Sequence, residues 1–436
     1  MIPSQRFYLL LLLGMAVVPA LAIISNVQTS LTFTLLFDGI LLLIAIADSS
    51  RIKPNRVKIT RYPLQRLSIG RDNPVILSVE AVKKSQILIR DYYPQEFEVS
   101  HPTLQTALEA NTREELTYTA RPNARGEYEW GDIQVRQLSP WGLAWHNWKI
   151  PVSQKVAVYP DLIGLRSLTI RLAIENTGTM RQARRLTSGT EFSELREYGI
   201  GDDTRLIDWK ATARRSLPLV RVLEPEKEQT LIILLDRGRL MTAQVRGLKR
   251  FDWGLNATLS LALAGLNRGD RVGVGVFDRQ VHTWIPPERG QHQLSKLLDC
   301  LTPIQPVLLE PDYVGAVTRL VKQQTRRALV VLITDIIDAT ASAELLAAIM
   351  RLAPRYLPFC VTLRDPLVDT IARTPTGHDS SQAVYTRAVA LDLLSQREVA
   401  FAKLKQKGVL VLDAEADKIS DKIVDRYLQL KARNLL

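Results

Sequence analysis

Two long apolar stretches begin this chain, and they constrain its fold more than any other feature. They run from Phe7 to Ile24 and from Leu31 to Ala47, and the residues between them, Ser25 to Ser30, carry no charge. Each stretch is about as long as the roughly 17–20 residues that cross the hydrocarbon core of a bilayer as a helix. We therefore predict two transmembrane helices, at about 7–24 and 31–47, within residues 1–50.

Basic residues flank the two stretches and predict their orientation. Arg6 precedes the first stretch, and seven basic residues with no acidic one lie between Arg51 and Arg71. Cytoplasmic flanks of membrane spans are enriched in Lys and Arg. We therefore expect a protein of the plasma or bacterial inner membrane with both termini and its soluble domains in the cytoplasm. A cleaved signal peptide and a buried core hairpin are the alternatives.

Asp38 lies in the middle of the second stretch. A carboxyl group at this depth in a membrane is costly, and such residues are candidates for a functional site. The simpler interpretation, which we favour, is a hydrogen bond to the other helix of the hairpin or to an oligomer partner.

The net charge of +12 does not predict nucleic-acid binding. The basic run directly after a span suits contact with anionic lipid, worth about 1 kcal/mol per charge near the surface. Neither zinc-ligand spacing nor an RNA-binding signature accompanies the run. Cys300 and Cys360 form no CxxC motif, which fits a reducing compartment.

Residues 51–160 predict an all-β domain. Short runs of alternating polarity recur there, separated by Gly, Pro and Asn, which is typical of an immunoglobulin-like sandwich. We expect its tryptophans to pack the sandwich or its rim; they are Trp130, Trp141, Trp145 and Trp148.

Residues 229–436 predict a doubly wound α/β domain. Apolar strands without alternation are separated by helices, which is typical of a mostly parallel sheet covered on both faces. Four of the predicted strands end in an aspartate, namely Asp236, Asp278, Asp335 and Asp413. Ligands of such sheets bind beyond the carboxyl ends of the strands, although helix caps also explain many such aspartates.

A dense motif, GTEFSELREYGIGDDTRLIDWKATAR, occupies residues 189–214 of a polar connector at 161–228. We predict one or two helical turns over EFSELREY, a sharp turn at GIGDD, and a short helix that buries Trp209. Its distinctive residues are Glu191, Phe192, Leu195, Arg196, Tyr198, Gly201, Asp202, Asp203, Arg205, Ile207, Asp208, Trp209, Lys210, Ala213 and Arg214.

This combination resembles the signature of the "domain of unknown function 58" family of membrane-anchored bacterial and archaeal proteins. The resemblance implies two N-terminal spans, a β-domain and a von Willebrand factor A-like C-terminal domain. It also implies a protein partner, since similar proteins are thought to act as adaptors with AAA+ ATPases of the MoxR type.

Three roles are open for the motif. It can lock the connector to a neighbouring domain through arginine–carboxylate pairs, or it can be a docking surface for a partner. Alternatively, Asp202, Asp203 and Asp208 can form a metal-dependent catalytic centre, although the interleaved arginines and lysine would compete with the metal.

The α/β domain contains only part of the metal-binding motif that is found in domains of the A type. Domains of the A type often hold Mg²⁺ through a DxSxS loop, but Gly238 and Leu240 stand where the serines belong. Only Asp236 and Asp335 remain of that site, and Arg237 and Arg239 are available to pair with them. We therefore expect neither metal nor any other cofactor.

The sequence contains no Walker A or GxSxG motif, and its five histidines do not cluster. We predict a non-enzymatic, membrane-anchored adaptor or scaffold that assists assembly or maturation of a client complex. The alternative is a metal-dependent hydrolase that uses the aspartates of the motif. The client, the pathway and the oligomeric state do not follow from the sequence.

Overall fold

The computed structural model describes residues 2–24, 27–64, 66–183, 191–224, 229–336, 343–374 and 381–433. The chain divides into two compact units, Met1–Tyr159 and Pro160–Leu436.

Two helices open the first unit, α1 (Gln5–Ile24) and α2 (Val27–Ser50). They pack closely where Gly14 of α1 meets Phe37 of α2, because a Cβ atom on Gly14 would lie 2.7 Å from the Phe37 ring. Of the described residues, only the stretch Leu31–Asn55 is long and apolar enough to cross a membrane by length and composition. The described apolar part of the first helix, Gln5–Val17, is shorter than a span, so the first predicted span stays a prediction.

The hydrogen bond that we favoured for Asp38 is not formed at one of its two carboxyl oxygens within the described residues. Its Oδ1 atom is buried, and no hydrogen-bond partner for it lies in the described part of the chain. The two helices meet near this point, since a Cβ on Gly14 would lie 3.7 Å from the same oxygen. A hydrogen bond from the other oxygen of Asp38, to the first helix or to an oligomer partner, stays a prediction.

The outer ends of both helices contact one loop of the β-domain. The Ser4 hydroxyl donates to the carbonyl of Gly142 at 2.5 Å, and the backbone N–H of Trp141 donates to Asp48 at 3.3 Å. Phe7, Leu41, Ala45 and Leu143 form a small buried apolar cluster beside these bonds. The start of α1 and the end of α2 therefore lie at the same end of the hairpin.

Short strands form the rest of the first unit: β1 (Ile2–Pro3), β2 (Lys58–Arg61), β3 (Leu67–Ser68), β4 (Asn73–Ala81), β5 (Ser85–Asp91), β6 (Phe97–Val99), β7 (Leu104–Leu108), β8 (Thr112–Pro122), β9 (Gly126–Trp130), β10 (Ile133–Leu138), β11 (Ala144–Ile150) and β12 (Gln154–Tyr159). They form sheets of order β1-β11-β10-β5-β7, β2-β4-β8-β6 and β3-β12-β9. Every pairing is antiparallel except that of β3 with β12 in these sheets of the described chain. An immunoglobulin-like arrangement of the sheets stays a prediction.

A buried polar group lies within the core of this β-domain. Arg61 pairs with Asp91 at 2.7 Å, and the Tyr118 hydroxyl donates to the other oxygen of Asp91 at 2.8 Å. Burial raises the pKa of Asp91, while Arg61 and Tyr118 oppose the rise. Trp130 is fully buried, as expected, whereas half of Trp141 is exposed.

The second unit begins with a helix that the sequence did not suggest. Helix α3 (Leu162–Ala183) occupies part of the stretch that we interpreted as a polar connector. Its inner face is narrow, because Leu165, Leu168 and Leu172 recur at spacings of three and four and pack on the α/β core. The polar residues around this stripe concealed the helical period.

The motif folds as strand β13 (Glu191–Glu197), helix α4 (Trp209–Arg215) and strand β14 (Leu219–Glu224). The prediction of helical turns over EFSELREY is therefore wrong. Strand β13 pairs antiparallel with β14, and this partner lies more than twenty residues further along the chain, beyond the reach of a local pattern.

The α/β domain contains the strands β15 (Thr230–Asp236), β16 (Gln244–Val245), β17 (Leu248–Lys249), β18 (Arg271–Phe277), β19 (Val281–Glu288), β20 (Leu329–Thr334), β21 (Leu357–Arg364) and β22 (Leu410–Glu415). Its helices are α5 (Arg250–Asn267), α6 (Gln291–Leu301), α7 (Tyr313–Gln323), α8 (Ala343–Met350), α9 (Pro366–Arg373), α10 (Ser381–Gln406) and α11 (Ile419–Ala432).

The main sheet has the order β19-β18-β15-β20-β21-β22. Neighbouring strands of this sheet pair in parallel, except that the edge strand β19 pairs antiparallel with β18. One apolar cluster covers each face of it. Strand β15 is central and fully buried, so its last residue, Asp236, lies at the middle of the carboxyl edge.

Candidate functional site

The turn of the motif is built around Asp202. Its Oδ2 atom accepts the N–H of Gly199 at 2.8 Å, and its Oδ1 atom accepts a charged hydrogen bond from Arg196 at 2.5 Å. Gly201 has a φ of +104°, a conformation that L residues rarely adopt. The bond from Arg196, followed by that from Gly199, lowers the pKa of Asp202. The carboxylate thus holds the turn closed.

The other two aspartates of the motif cap helical turns. Asp203 accepts the N–H of Arg205 at 2.9 Å. Asp208 accepts the N–H groups of Lys210 at 3.1 Å and Ala211 at 3.0 Å, at the beginning of α4. This is the usual role of aspartate at a helix N-cap.

Asp208 also ties α4 to the β13–β14 strand pair, because its Oδ2 atom accepts from Arg221 of β14 at 2.9 Å. The bond from Ala211, followed by that from Arg221, lowers the pKa of Asp208. Every aspartate of the motif is therefore committed to hydrogen bonds that fold the motif itself.

Two large apolar side chains of the motif, and Leu217 just after it, face outward. Trp209 is 70% exposed, Ile200 is fully exposed, and Leu217 is half exposed. Our expectation that Trp209 is buried is therefore wrong. The buried apolar side chains nearby are those of Leu219 and Val220 in β14. Helix α4 has only seven residues, and none of them is buried.

Basic residues flank this exposed tryptophan in the sequence. Arg205, Lys210, Arg214 and Arg215 are exposed, and they form no ion pair with an acidic residue in the described part of the chain. Tyr198 is half-buried, with its N–H bonded to the carbonyl of Pro218 at 2.9 Å. The side chains of Glu191 and Phe192 lie outside the described residues. We call the group Ile200, Arg205, Trp209, Lys210 and Arg214 the motif surface.

A second candidate site lies at the carboxyl edge of the main sheet. Asp236 is fully buried, and its Oδ1 atom accepts the N–H of Gly238 at 2.7 Å. Its Oδ2 atom accepts from the hydroxyls of Thr334 at 2.7 Å and Tyr313 at 3.3 Å. Burial raises the pKa of Asp236 to about 6, against the effect of these hydrogen bonds.

Gly238 has a steric role beside Asp236. A Cβ atom at this position would lie 2.8 Å from the carbonyl oxygen of Leu309, so a serine would require the backbone to move. Close packing at Gly238 therefore leaves no space for the serine that a DxSxS loop would have at this position.

Two arginines hold the neighbouring carboxylate, Asp335. Arg250 contacts its Oδ2 atom at 2.7 Å and Arg397 its Oδ1 atom at 2.8 Å. Arg397 also bonds to Asp413 at 2.8 Å. Burial disfavours the charge of Arg397, but Asp335 and Asp413 outweigh it and raise its pKa.

The expected pairing of Arg237 and Arg239 with these aspartates is wrong. Arg237 instead pairs with Asp278 at 2.6 Å, and Arg239 pairs with the exposed Glu310 at 2.7 Å. The first loop directs both side chains away from Asp335, whose partners come from α5 and α10.

The sequence therefore missed Arg250, Arg397, Tyr313 and Thr334. Thr334 directly precedes Asp335 and was the one residue with a local signal. The two arginines lie on helices among many other basic residues, and nothing in their spacing relates them to Asp335. Within the described ranges, no cluster of three or more His, Cys, Asp or Glu side chains is placed to hold a metal ion.

Fold and sites together describe a multidomain protein with a candidate membrane helix, a region of small β-sheets and an α/β domain. Residues 194–373 match the family model described as "Protein of unknown function DUF58". This match includes most of the motif as well as Asp236 and Asp335, and it confirms the resemblance for that part of the chain.

Related sequences also match a part of the chain. Uncharacterised proteins of Mycobacterium tuberculosis and Mycobacterium bovis are 27% identical over 180 residues, which cover 41% of this chain. The match spans 56% of the length of those relatives.

Two solved structures resemble about half of the chain. One is the conserved hypothetical protein BatB from Bacteroides thetaiotaomicron, with 16% identity, a TM-score of 0.32, and coverage of 47% of this chain and 99% of that one. The other is an aerotolerance-related membrane protein from Bacteroides fragilis, with 15% identity, a TM-score of 0.30, and coverage of 47% and 98%. Similarity at this level is too slight to support a statement about function.

Proposed function

We propose that this protein is a membrane-anchored adaptor or scaffold that binds a protein partner through its motif surface. The observation that carries the proposal is the exposure of Trp209, which is 70% accessible although it lies in the most distinctive part of the sequence. A motif that served only to lock two domains together would bury its largest apolar side chain. The exposed tryptophan therefore supports docking over interdomain packing.

Different residues of the motif fold it and form its exposed surface, and this separation supports the same function. Asp202, Asp203 and Asp208 fold the element through hydrogen bonds, while Trp209 and the basic side chains point outward. Trp and Arg are enriched among the residues that dominate binding energy at protein interfaces. A partner with an apolar pocket and an acidic rim would complement this surface.

The finer parts of the proposal follow from the family resemblance. The partner that we propose is an AAA+ ATPase of the MoxR type, and the α/β domain would be a von Willebrand factor A-like module. Two N-terminal spans would hold the remaining domains on the cytoplasmic side. We propose no catalytic activity, because each aspartate of the motif already accepts hydrogen bonds from the motif itself.

The test is binding of the full chain, in nanodiscs, to a purified MoxR-type ATPase from the same source. We expect Trp209→Ala to weaken binding at least tenfold, because a central tryptophan typically contributes more than 1.4 kcal/mol. Trp141→Ala is the matched control, since Trp141 is also an exposed tryptophan but lies in the other unit. Equal binding by wild type and Trp209→Ala would refute the docking role of the motif surface.

A further inference from the structure

One face of the β-domain carries three basic side chains on paired strands. Strands β5, β10 and β11 pair so that Gln134 lies opposite both Arg90 and Lys149, and Arg136 lies opposite Leu88 and Asn147. Because side chains alternate between faces, these residues share the face that points away from the core. The members of this face are Gln86, Leu88, Arg90, Gln134, Arg136, Leu138, Trp145, Asn147 and Lys149. Three of them are cationic, and none is acidic.

The three cations are close to one another. Arg90 and Arg136 are diagonal neighbours on adjacent strands, a relationship that places long side chains within reach at about 7–8 Å between Cα atoms. Arg90 and Lys149 both lie over the ring of Tyr92, at 5.6 Å and 5.8 Å from its centroid. In the part of the chain that the structure describes, none of the three forms an ion pair.

A polar cavity lies between the two arginines. It has a volume of about 100 Å³ and is lined by Leu88, Arg90, Thr103, Gln134 and Arg136. The Tyr92 hydroxyl donates to Gln134 at 2.8 Å, and Gln134 donates to Asn147 at 3.1 Å. These bonds position the polar wall of the cavity next to the guanidinium groups.

Like charges at neighbouring positions of a sheet repel each other, so an anion from outside would stabilise this arrangement. Guanidinium groups bind planar or tetrahedral oxyanions through paired hydrogen bonds and are the preferred ligands of phosphate. The cavity is small, at about 100 Å³, which suits one phosphate group rather than an extended peptide.

We propose that Arg90 and Arg136 bind a phosphate group between them, with Thr103 as a further donor and Lys149 as a supporting charge. The phosphate belongs either to the head group of an anionic phospholipid or to a soluble phosphate ester. The proposal is independent of the motif surface and its partner, because every residue involved lies in the first unit.

The test uses the full chain in nanodiscs of zwitterionic lipid, titrated with inorganic phosphate and with glycerol 3-phosphate at constant ionic strength. Melting temperature is the readout, because a ligand that binds only the folded state raises it. In a second arm, nanodiscs contain phosphatidylglycerol, and native mass spectrometry counts the lipids that stay bound. A response to the soluble anions assigns a soluble ester, whereas retention of phosphatidylglycerol alone assigns a lipid head group.

The double variant Arg90→Gln, Arg136→Gln should lose either response at least tenfold in apparent affinity. Arg121→Gln is the matched control, since Arg121 is an exposed arginine on β8 of another sheet, opposite Glu98. An equal response by wild type and the double variant would overturn the proposal. So would binding of a polyglutamate peptide without any response to phosphate or lipid, which would assign an acidic peptide instead.

Discussion

The Nη1 atom of Arg250 lies 2.7 Å from the Oδ2 atom of Asp335, and the other oxygen of Asp335 pairs with Arg397. Positive charge at the carboxyl edge of the sheet is therefore supplied by the chain itself. Both side chains of the Arg250–Asp335 pair are largely buried, so each ion depends on its partner for the solvation it has lost.

Removing Arg250 should destabilise the α/β domain. Arg250→Ala leaves one oxygen of a buried carboxylate without a partner, and we expect a loss of about 1–3 kcal/mol in the free energy of unfolding. Arg239→Ala is the control, because the Arg239–Glu310 pair is exposed and should cost under about 1 kcal/mol. Urea denaturation of both variants measures the difference, and equal losses would contradict this account.

Magnesium should not stabilise the wild-type protein. Asp236 is engaged by two hydroxyls and an N–H, and Asp335 by two arginines, so neither offers a free oxygen to a cation. A specific site at 100-fold above its dissociation constant would add about 2.7 kcal/mol. A rise in melting temperature with millimolar Mg²⁺ that Asp236→Ala abolishes would show that the edge binds metal.

Stability should depend on the protonation of Asp236. Its pKa of about 6 in the folded chain lies above the ordinary value of 3.8, so the folded state binds the proton more tightly. Its stabilising contribution is complete below about pH 4 and is lost as the pH rises through 6, by roughly 3 kcal/mol.

Asp236→Asn should remove this pH dependence, because the amide does not titrate. The unfolding free energy of the variant minus that of wild type should therefore rise between pH 4 and pH 7. Chemical denaturation at several pH values gives this difference. A difference that stays constant over the range would show that Asp236 keeps an ordinary pKa.

Truncation should destabilise the protein at one tryptophan and leave its stability unchanged at another. Trp209 is mostly exposed, so Trp209→Ala should leave the melting temperature within about 1 °C of wild type. Trp130 is fully buried, and Trp130→Ala should cost about 3–5 kcal/mol. Thermal unfolding followed by circular dichroism compares them. A large loss for Trp209→Ala would restore the interpretation of the motif as interdomain packing.

The charge asymmetry around the apolar stretches predicts the topology. A reporter fused after Leu436 should be active only in the cytoplasm, and a cysteine at position 26 should react with an impermeant reagent outside intact cells. The matched control is a cysteine at Lys58, which should stay protected. Labelling of Lys58→Cys from outside would invert the proposed orientation.

Much of the architecture was predictable because it rests on local periodicity. The apolar stretches, the strand-rich region and the alternation of buried strands with helices all recur with periods that a sequence displays directly. Helix α3 was not predicted, because its apolar stripe is narrow and lies among polar residues. The stripe consists of Leu165, Leu168 and Leu172. Strand β13 escaped because β14, its partner, is distant in sequence.

The order of residues is enough to show that the first loop of the α/β domain lacks metal-binding hydroxyls and that residues 189–214 carry the distinctive motif. Which groups neutralise the buried aspartates, and which side chains of the motif stay exposed, depends on packing between distant segments. Arg250 and Arg397 reach Asp335 from helices α5 and α10, far from it in the chain, because parallel strands gather their carboxyl ends at one edge. Trp209 is exposed while Leu219 and Val220 of the following strand are buried, and competition for buried space is settled only when the chain is folded.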